Sequence, residues 1–126
     1  MPHVGYLTKE EITFIHDLIL RLTGGEKGTK HHGQLDSLSA EMSYAIGVDQ
    51  KAAVLARGII QGHLFNDGNK RTGHATMEAF LNRYGKVLTA SDEATMAFTK
   101  NVAQGLLTME QIINWISNHT RVIKNA

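Results

Sequence analysis

Cysteine is absent from the 126-residue chain. Disulfides, thiolate zinc sites and a cysteine nucleophile are therefore excluded, and the absence suits a reducing cytosol. Proline occurs once, at Pro2, so no helix interior has to accommodate a missing N–H. No apolar run approaches the roughly 20 residues of a membrane-spanning helix. The opening Met1-Pro2-His3-Val4-Gly5-Tyr6 lacks the basic-then-apolar layout of a secretory signal. A soluble, cytoplasmic protein is the expectation. Charge of one sign is missing too. The formal net charge is +1, which gives no whole-molecule attraction to nucleic acid or an anionic membrane. With no aromatic interleaving among its basic residues, the chain also offers little support for a ribonuclease.

What is present is an ordinary globular composition, with 42% apolar residues. That fraction and length predict one hydrophobic core and a single domain over residues 1–126. Helical periodicity dominates. Ile12, Ile15, Leu18, Ile19 and Leu22 recur at helix spacing, Thr8 and Glu11 have the spacing of a capping box, and Gly24-Gly25 ends the run. His16 lies beside this apolar face and reads as a core or boundary histidine rather than a ligand. Residues 24 to 36 mix four glycines with Lys27, Lys30, His31 and His32. They read as a mobile surface loop, and the histidine pair as solvated rather than metal-binding. A second helix is expected from Leu35 to Ile46, with Leu38, Met42 and Ala45 or Ile46 inward and Gly47 as cap. A third, capped at Asp49, is apolar over most of its surface and should be central. Gly58 and Gly62 within it suggest close packing. A fourth helix is expected over about Thr72–Tyr84, then a short extended link at Val87-Leu88. A fifth is capped by Ser91 or Asp92 and carries Met96, Ala97, Phe98, Val102 and Ala103. A sixth opens on the Thr108–Gln111 capping box and carries Trp115 as a core anchor. No strand pair is evident. The reading is all-α: a compact domain of about six helices.

Between the third and fourth helices the composition changes abruptly, at His63-Leu64-Phe65-Asn66-Asp67-Gly68-Asn69-Lys70-Arg71-Thr72. Phe65 is too bulky for a mere surface loop. Its expected role is to pin the segment to the core and hold the polar neighbours still. Gly68 permits positive φ and close approach of a ligand. Asn69, Lys70 and Arg71 then fall at a helix start, where free N–H groups and the dipole favour an anion. Arginine adds a bidentate fork for phosphate and lysine a point charge. Asp67 is an oxygen ligand of the kind Mg²⁺ prefers, usually shared with substrate phosphates and water. An imidazole titrates at about 6.5, so His63 suits a general base for an attacking hydroxyl. The ensemble points to phosphoryl or nucleotidyl transfer. Taken singly, each residue also has a structural reading: Asp67-Gly68 as a turn, His63 as a helix end, Lys70 and Arg71 as solvated cations. The glycine–lysine phosphate loop, G-x-x-x-x-G-K-(S/T), is absent, as are the protein-kinase set and H-E-x-x-H.

In its order of residues the segment resembles the Fic/Doc family. The Fic form reads H-P-F-x-(D/E)-G-N-G-R. His63, Phe65, Asp67, Gly68, Asn69 and Arg71 match it, while Leu64 replaces proline and Lys70 replaces glycine. Lysine at that place marks the Doc form, H-x-F-x-D-(A/G)-N-K-R. Ile12–Asp17 with Gly24-Gly25, Gly33–Leu38, Leu81–Gly85 and the Trp115 helix extend the likeness more loosely along the chain. The resemblance implies the compact Fic helical fold. It implies His63 as the activating base, Asp67 as Mg²⁺ ligand, and Gly68, Asn69, Lys70 and Arg71 as the phosphate-binding loop for ATP. It also makes residues 24 to 36 the flap that docks a target segment. Fic enzymes transfer AMP to protein hydroxyls, whereas Doc toxins act as kinases on elongation factor Tu and so inhibit translation. Lys70 fills space in the anion hole, so the nucleotide is expected to bind reversed, with its γ-phosphate presented. Doc toxins are restrained by a separate Phd-type antitoxin. The self-inhibiting motif of other Fic proteins, (S/T)-x-x-x-E-(G/N), has no counterpart, since no glutamate here precedes glycine or asparagine. The competing expectations are an AMP-transferase and a non-catalytic nucleotide-binding module.

Overall fold

The computed structural model describes residues 5–123. Among them six helices form: α1 Lys9–Thr23, α2 His32–Tyr44, α3 Gly47–Ile60, α4 Asn69–Arg83, α5 Asp92–Ala103 and α6 Met109–Asn118. Two short strands, β1 Lys86–Leu88 and β2 Thr120–Val122, pair antiparallel with Val87 opposite Arg121. The architecture is all-α, and the strand pair corrects the expectation that none exists. Each strand is three residues long and its partner lies beyond α5 and α6, so no alternating run or hairpin turn announces it.

Helix α3 is central and packs against α2, α4, α5 and α6. Its fully buried Ala52, Ala53, Leu55, Ala56, Ile59 and Ile60 leave no solvent face wide enough for a surface helix. Small residues bring α4 close. A Cβ on Gly73 would stand 2.3 Å from Cγ1 of Ile60. Gly58 likewise admits Leu38 of α2, whose Cδ1 would meet a Cβ there at 2.6 Å. Lys51 is buried, and its Nζ donates to the Met42 carbonyl at 2.7 Å. The ammonium thereby joins the Ala45 N–H, at 3.1 Å, as a second donor to that carbonyl in the last turn of α2.

Both expected capping boxes are present: Thr8 with Glu11 opens α1 and Thr108 with Gln111 opens α6. Ser91 caps α5 by accepting from the Ala94 N–H. The inward face of α1 is rotated from the expected one. Ile12, His16 and Leu20 are buried, Ile15 and Ile19 are half-buried, and Leu22 is 72% exposed. The aromatic stack of His16 on Phe65 turns that side of α1 inward, which aliphatic periodicity alone could not show. Helix α2 begins at His32, so the loop is residues 24–31 rather than 24–36. Ile46 is 81% exposed rather than inward, and Gly47 opens α3 instead of only closing α2. Asp49 is not the cap of α3. It lies in the first turn, where its carboxylate receives Lys86 Nζ at 2.7 Å and Ser117 Oγ at 2.8 Å. It thus ties β1 and α6 to the start of α3. Trp115 stacks on Phe98 at 3.9 Å, which makes it the anchor of α6 against α5.

Candidate active site

The segment between α3 and α4 is fastened from below. Leu64 and Phe65 are both buried, and Phe65 stacks on the His16 ring at 3.8 Å between centroids. His16 Nε2 also donates to the Asp67 carbonyl at 2.9 Å. A carbonyl can only accept, so Nε2 carries a proton. A buried histidine therefore holds the loop twice, through Phe65 and through Asp67. Asn69 clamps it again: its Oδ1 accepts from the Phe65 N–H at 3.0 Å and its Nδ2 donates to the Phe65 carbonyl at 2.9 Å.

These ties matter because His63 is held at φ 48, the one positive φ outside glycine among the described residues. Such a backbone costs about 1–3 kcal/mol. Burying Leu64 and Phe65 contributes about 1.5–3 kcal/mol each, enough to hold the turn. His63 itself is exposed. With Asp67, Gly68, Asn69, Lys70 and Arg71 it lines one cleft of about 300 Å³, which Ile60, Asn66 and Ala103 also border. All six residues singled out in the sequence thus meet in one place.

The cleft wall facing α4 is a helix start without a side-chain cap. Gly68 is the N-cap, with φ 75, and its backbone offers no capping oxygen from a side chain. The first intrahelical bond runs from the Thr72 N–H to the Gly68 carbonyl at 2.9 Å. The N–H groups of Asn69, Lys70 and Arg71 precede it and have no helical partner. A Cβ on Gly68 would meet Leu20 at 3.2 Å and Arg71 at 3.4 Å, so both space and φ call for glycine. The dipole of α4 would favour an anion by about 0.3–1 kcal/mol, too little alone for a polyphosphate. Lys70 and Arg71 supply the full charges. Among the described residues no carboxylate lies within ion-pair distance of Lys70. Arg71 is partly committed: it donates to Thr23 Oγ1 and, at 3.4 Å, to the Gly24 carbonyl, and its Nη2 lies 3.8 Å from Asp67 Oδ1. Asn69 differs from the expectation in one respect. Its amide serves Phe65, so what it presents to an anion is its backbone N–H.

The Asp67 carboxyl is held below the usual carboxylate range, chiefly by the Glu26 N–H, at 3.1 Å, and next by the Gly68 N–H, at 2.8 Å, with Arg71 adding to the effect. Its side chain is 46% exposed and, among the described residues, it is the sole carboxylate on the cleft. Among the described residues no group of three His, Asp or Glu side chains could cage a metal. An anionic, half-exposed single carboxylate fits Mg²⁺, which takes most of its oxygens from phosphate and water. It would not fit a cation needing an all-protein cage.

The loop at 24–31 is not detached from this site. Asn66 N–H donates to the Gly28 carbonyl at 3.0 Å, and Lys30 N–H donates to the Leu64 carbonyl at 2.7 Å. Thr29 and Phe65 form an antiparallel bridge. Gly25 allows the approach at φ 129, since a Cβ there would stand 2.7 Å from Asp67 Oδ2. His16, the α1 end at Thr23 and this backbone pairing are parts of the site that the sequence did not reveal. The one available signal was that a buried histidine on an apolar face requires a polar partner.

The sequence profile of the Fic/DOC family matches residues 6–81, more than half the chain and inclusive of the whole cleft loop. The chain belongs to the Fic/DOC family. Two curated relatives place it on the Doc branch. It is 31% identical over 99 residues to "Toxin Doc" of Mycolicibacterium smegmatis, spanning 73% of this chain and 74% of that protein. It is 26% identical over 94 residues to "Protein kinase doc" of Escherichia phage P1, spanning 70% of this chain and 75% of that one. No helix among the described residues is long and apolar enough to cross a membrane.

Proposed function

We propose that this Fic/DOC protein is a Doc-like toxin that moves the γ-phosphoryl group of ATP to a hydroxyl of a protein. The observation that carries the proposal is the single cleft that joins His63, Asp67 and the open start of α4 flanked by Lys70 and Arg71. His63 takes the proton of the target hydroxyl. The freed oxygen attacks the γ-phosphorus, the bond to the β-phosphate bridging oxygen breaks, and ADP leaves. The N–H groups at the start of α4, with Lys70 and Arg71, hold the phosphates in line and offset their charge. Mg²⁺ held by Asp67, when bound, would neutralise phosphate charge as it shifts toward the leaving group. The hydroxyl is supplied by a protein segment laid against the loop at 24–31, with elongation factor Tu as the proposed target and arrest of translation as the result. The names of the two relatives, a toxin and a protein kinase, support this reading.

Restraint by a Phd-like antitoxin acting in trans belongs to the same proposal, since no glutamate of the chain carries the self-inhibiting pattern. A small open reading frame beside the gene should relieve growth arrest when co-expressed. Harmless expression of the isolated chain would count against toxicity. The second reading, AMP transfer, is favoured by the motif positions that match the Fic form, His63 to Arg71 apart from Leu64 and Lys70. ATP labelled at the γ- or the α-phosphate, incubated with the protein and elongation factor Tu, separates the two. γ-Label on the target is expected, and α-label there would replace phosphorylation by adenylylation.

A further inference from the structure

Helix α1 ends against the cleft. Thr23 is its last residue, and Gly24 turns the chain at φ 80, in the left-handed region that favours glycine. This end of α1 meets Arg71, whose Nη1 donates to Thr23 Oγ1 and, at 3.4 Å, to the Gly24 carbonyl. The Thr23 hydroxyl is itself oriented, because it donates to the Ile19 carbonyl at 2.7 Å. A hydroxyl has one proton to give, so what Thr23 turns toward Arg71 is a lone pair. Thr23 is exposed, so these two hydrogen bonds, rather than core packing, hold its side chain. The C-terminus of a helix is also the negative end of its dipole, which favours a guanidinium there. Both acceptors are neutral and fix Arg71 without cancelling its charge. Asp67 Oδ1, the carboxylate oxygen near it, stands 3.8 Å from Nη2, beyond hydrogen-bond length.

We propose that Thr23 is a positioning residue that aims Arg71 at the phosphates of the donor. The inference rests on the reading that the cleft binds those phosphates, and it adds a residue from outside the His63–Thr72 run on which their binding depends. Thr23 Oγ1 and the Gly24 carbonyl together engage both N–H bonds of Nη1. That leaves the edge formed by Nε and Nη2, which makes no hydrogen bond among the described residues. Two N–H bonds on one edge are the fork that takes two phosphate oxygens at once. A Cβ on Gly68 would meet Arg71 Nη2 at 3.4 Å. Nη2 therefore stands over the N-cap of α4, where the helix start has no side-chain cap. The end of α1 thus holds the guanidinium by one side and leaves the other beside the open N–H groups. A fork ordered in advance loses less freedom when an anion arrives than a free arginine does.

Calorimetric titration of the whole protein with Mg²⁺ plus inorganic tripolyphosphate tests this. Thr23→Val keeps the branched shape of the side chain and removes the hydroxyl. It should weaken tripolyphosphate binding roughly five- to tenfold, about the size of one net hydrogen bond. Thr23→Ser, which keeps the hydroxyl and drops the methyl, should bind as the wild type does. Arg71→Ala should weaken binding further than Thr23→Val. Combining the two changes should cost no more than Arg71→Ala alone, because a residue that acts through another has nothing left to contribute once that other is gone. Unchanged affinity in Thr23→Val, weak binding by Thr23→Ser, or a full additional loss in the double variant would each overturn the positioning role while leaving phosphate binding intact. Failure of the wild type to bind tripolyphosphate would overturn the phosphate reading and this inference together.

Discussion

His63, Asp67, Gly68, Lys70 and Arg71 come from one unbroken run of sequence and line one cleft. The functions assigned to them depend on side chains from elsewhere. If His63 is the base, His63→Ala should lower phosphoryl transfer by about 10²–10⁴-fold while ATP affinity in calorimetry is retained. His16 acts on a different quantity. His16→Phe keeps a ring against Phe65 but removes the donor to the Asp67 carbonyl. An unmet buried acceptor costs about 1–3 kcal/mol, readable in urea unfolding, and turnover should fall with unchanged nucleotide binding. Asp67 gives a pH signature. Its folded pKa is depressed, chiefly by the Glu26 N–H. Its contribution to stability is therefore present above the unfolded value, about 3.9, and is lost as pH falls through the lower folded value. Thermal midpoints should drop less steeply in acid for Asp67→Asn than for the wild type. Identical slopes would remove Asp67 from the coupling between loop and cleft. Neither the positive φ of His63 nor the clamp of Asn69 on Phe65 could be read in advance, because both are set by burial of Leu64 and Phe65.

At the scale of elements, helix starts were legible wherever a side chain makes the cap. Thr8, Ser91 and Thr108 were all identified from composition and spacing. The starts of α2 and α4 lie three residues earlier than periodicity suggested, and neither has a side-chain cap bond. In α4 the missing cap leaves the N–H groups of Asn69 to Arg71 without a helical or side-chain cap partner, as the proposed anion site requires. Two changes separate these cases. Thr8→Ala removes a capping-box acceptor and should cost about 0.5–2 kcal/mol in urea unfolding, with the cleft intact. Gly73→Ala places a methyl 2.3 Å from Ile60 and should cost about 1–3 kcal/mol by overpacking α3 against α4. Because α4 carries the proposed anion site, Gly73→Ala should also weaken ATP binding, which Thr8→Ala should not. The strand pair escaped notice for a physical reason as well. Three-residue strands carry too little alternation to register, and this pair closes only after α5 and α6 have folded back.

The whole molecule is a scaffold around one loop. Helices α3 and α4 present it, α1 fastens it through His16 and Thr23, and residues 24–31 pair with its backbone. Helical periodicity and composition made the all-α class readable, while the rotation of α1 and the docking of residues 24–31 depended on contacts over 30 or more positions of sequence. Family membership narrows the chemistry to that of Fic/DOC proteins, and the proposal narrows it further to phosphoryl transfer. Mass spectrometry of elongation factor Tu incubated with the protein, Mg²⁺ and ATP tests the central claim most directly. The account expects one added phosphate on a hydroxyl residue, absent when His63→Ala replaces the wild type. An added AMP group, or an unmodified target with the active protein, would contradict it.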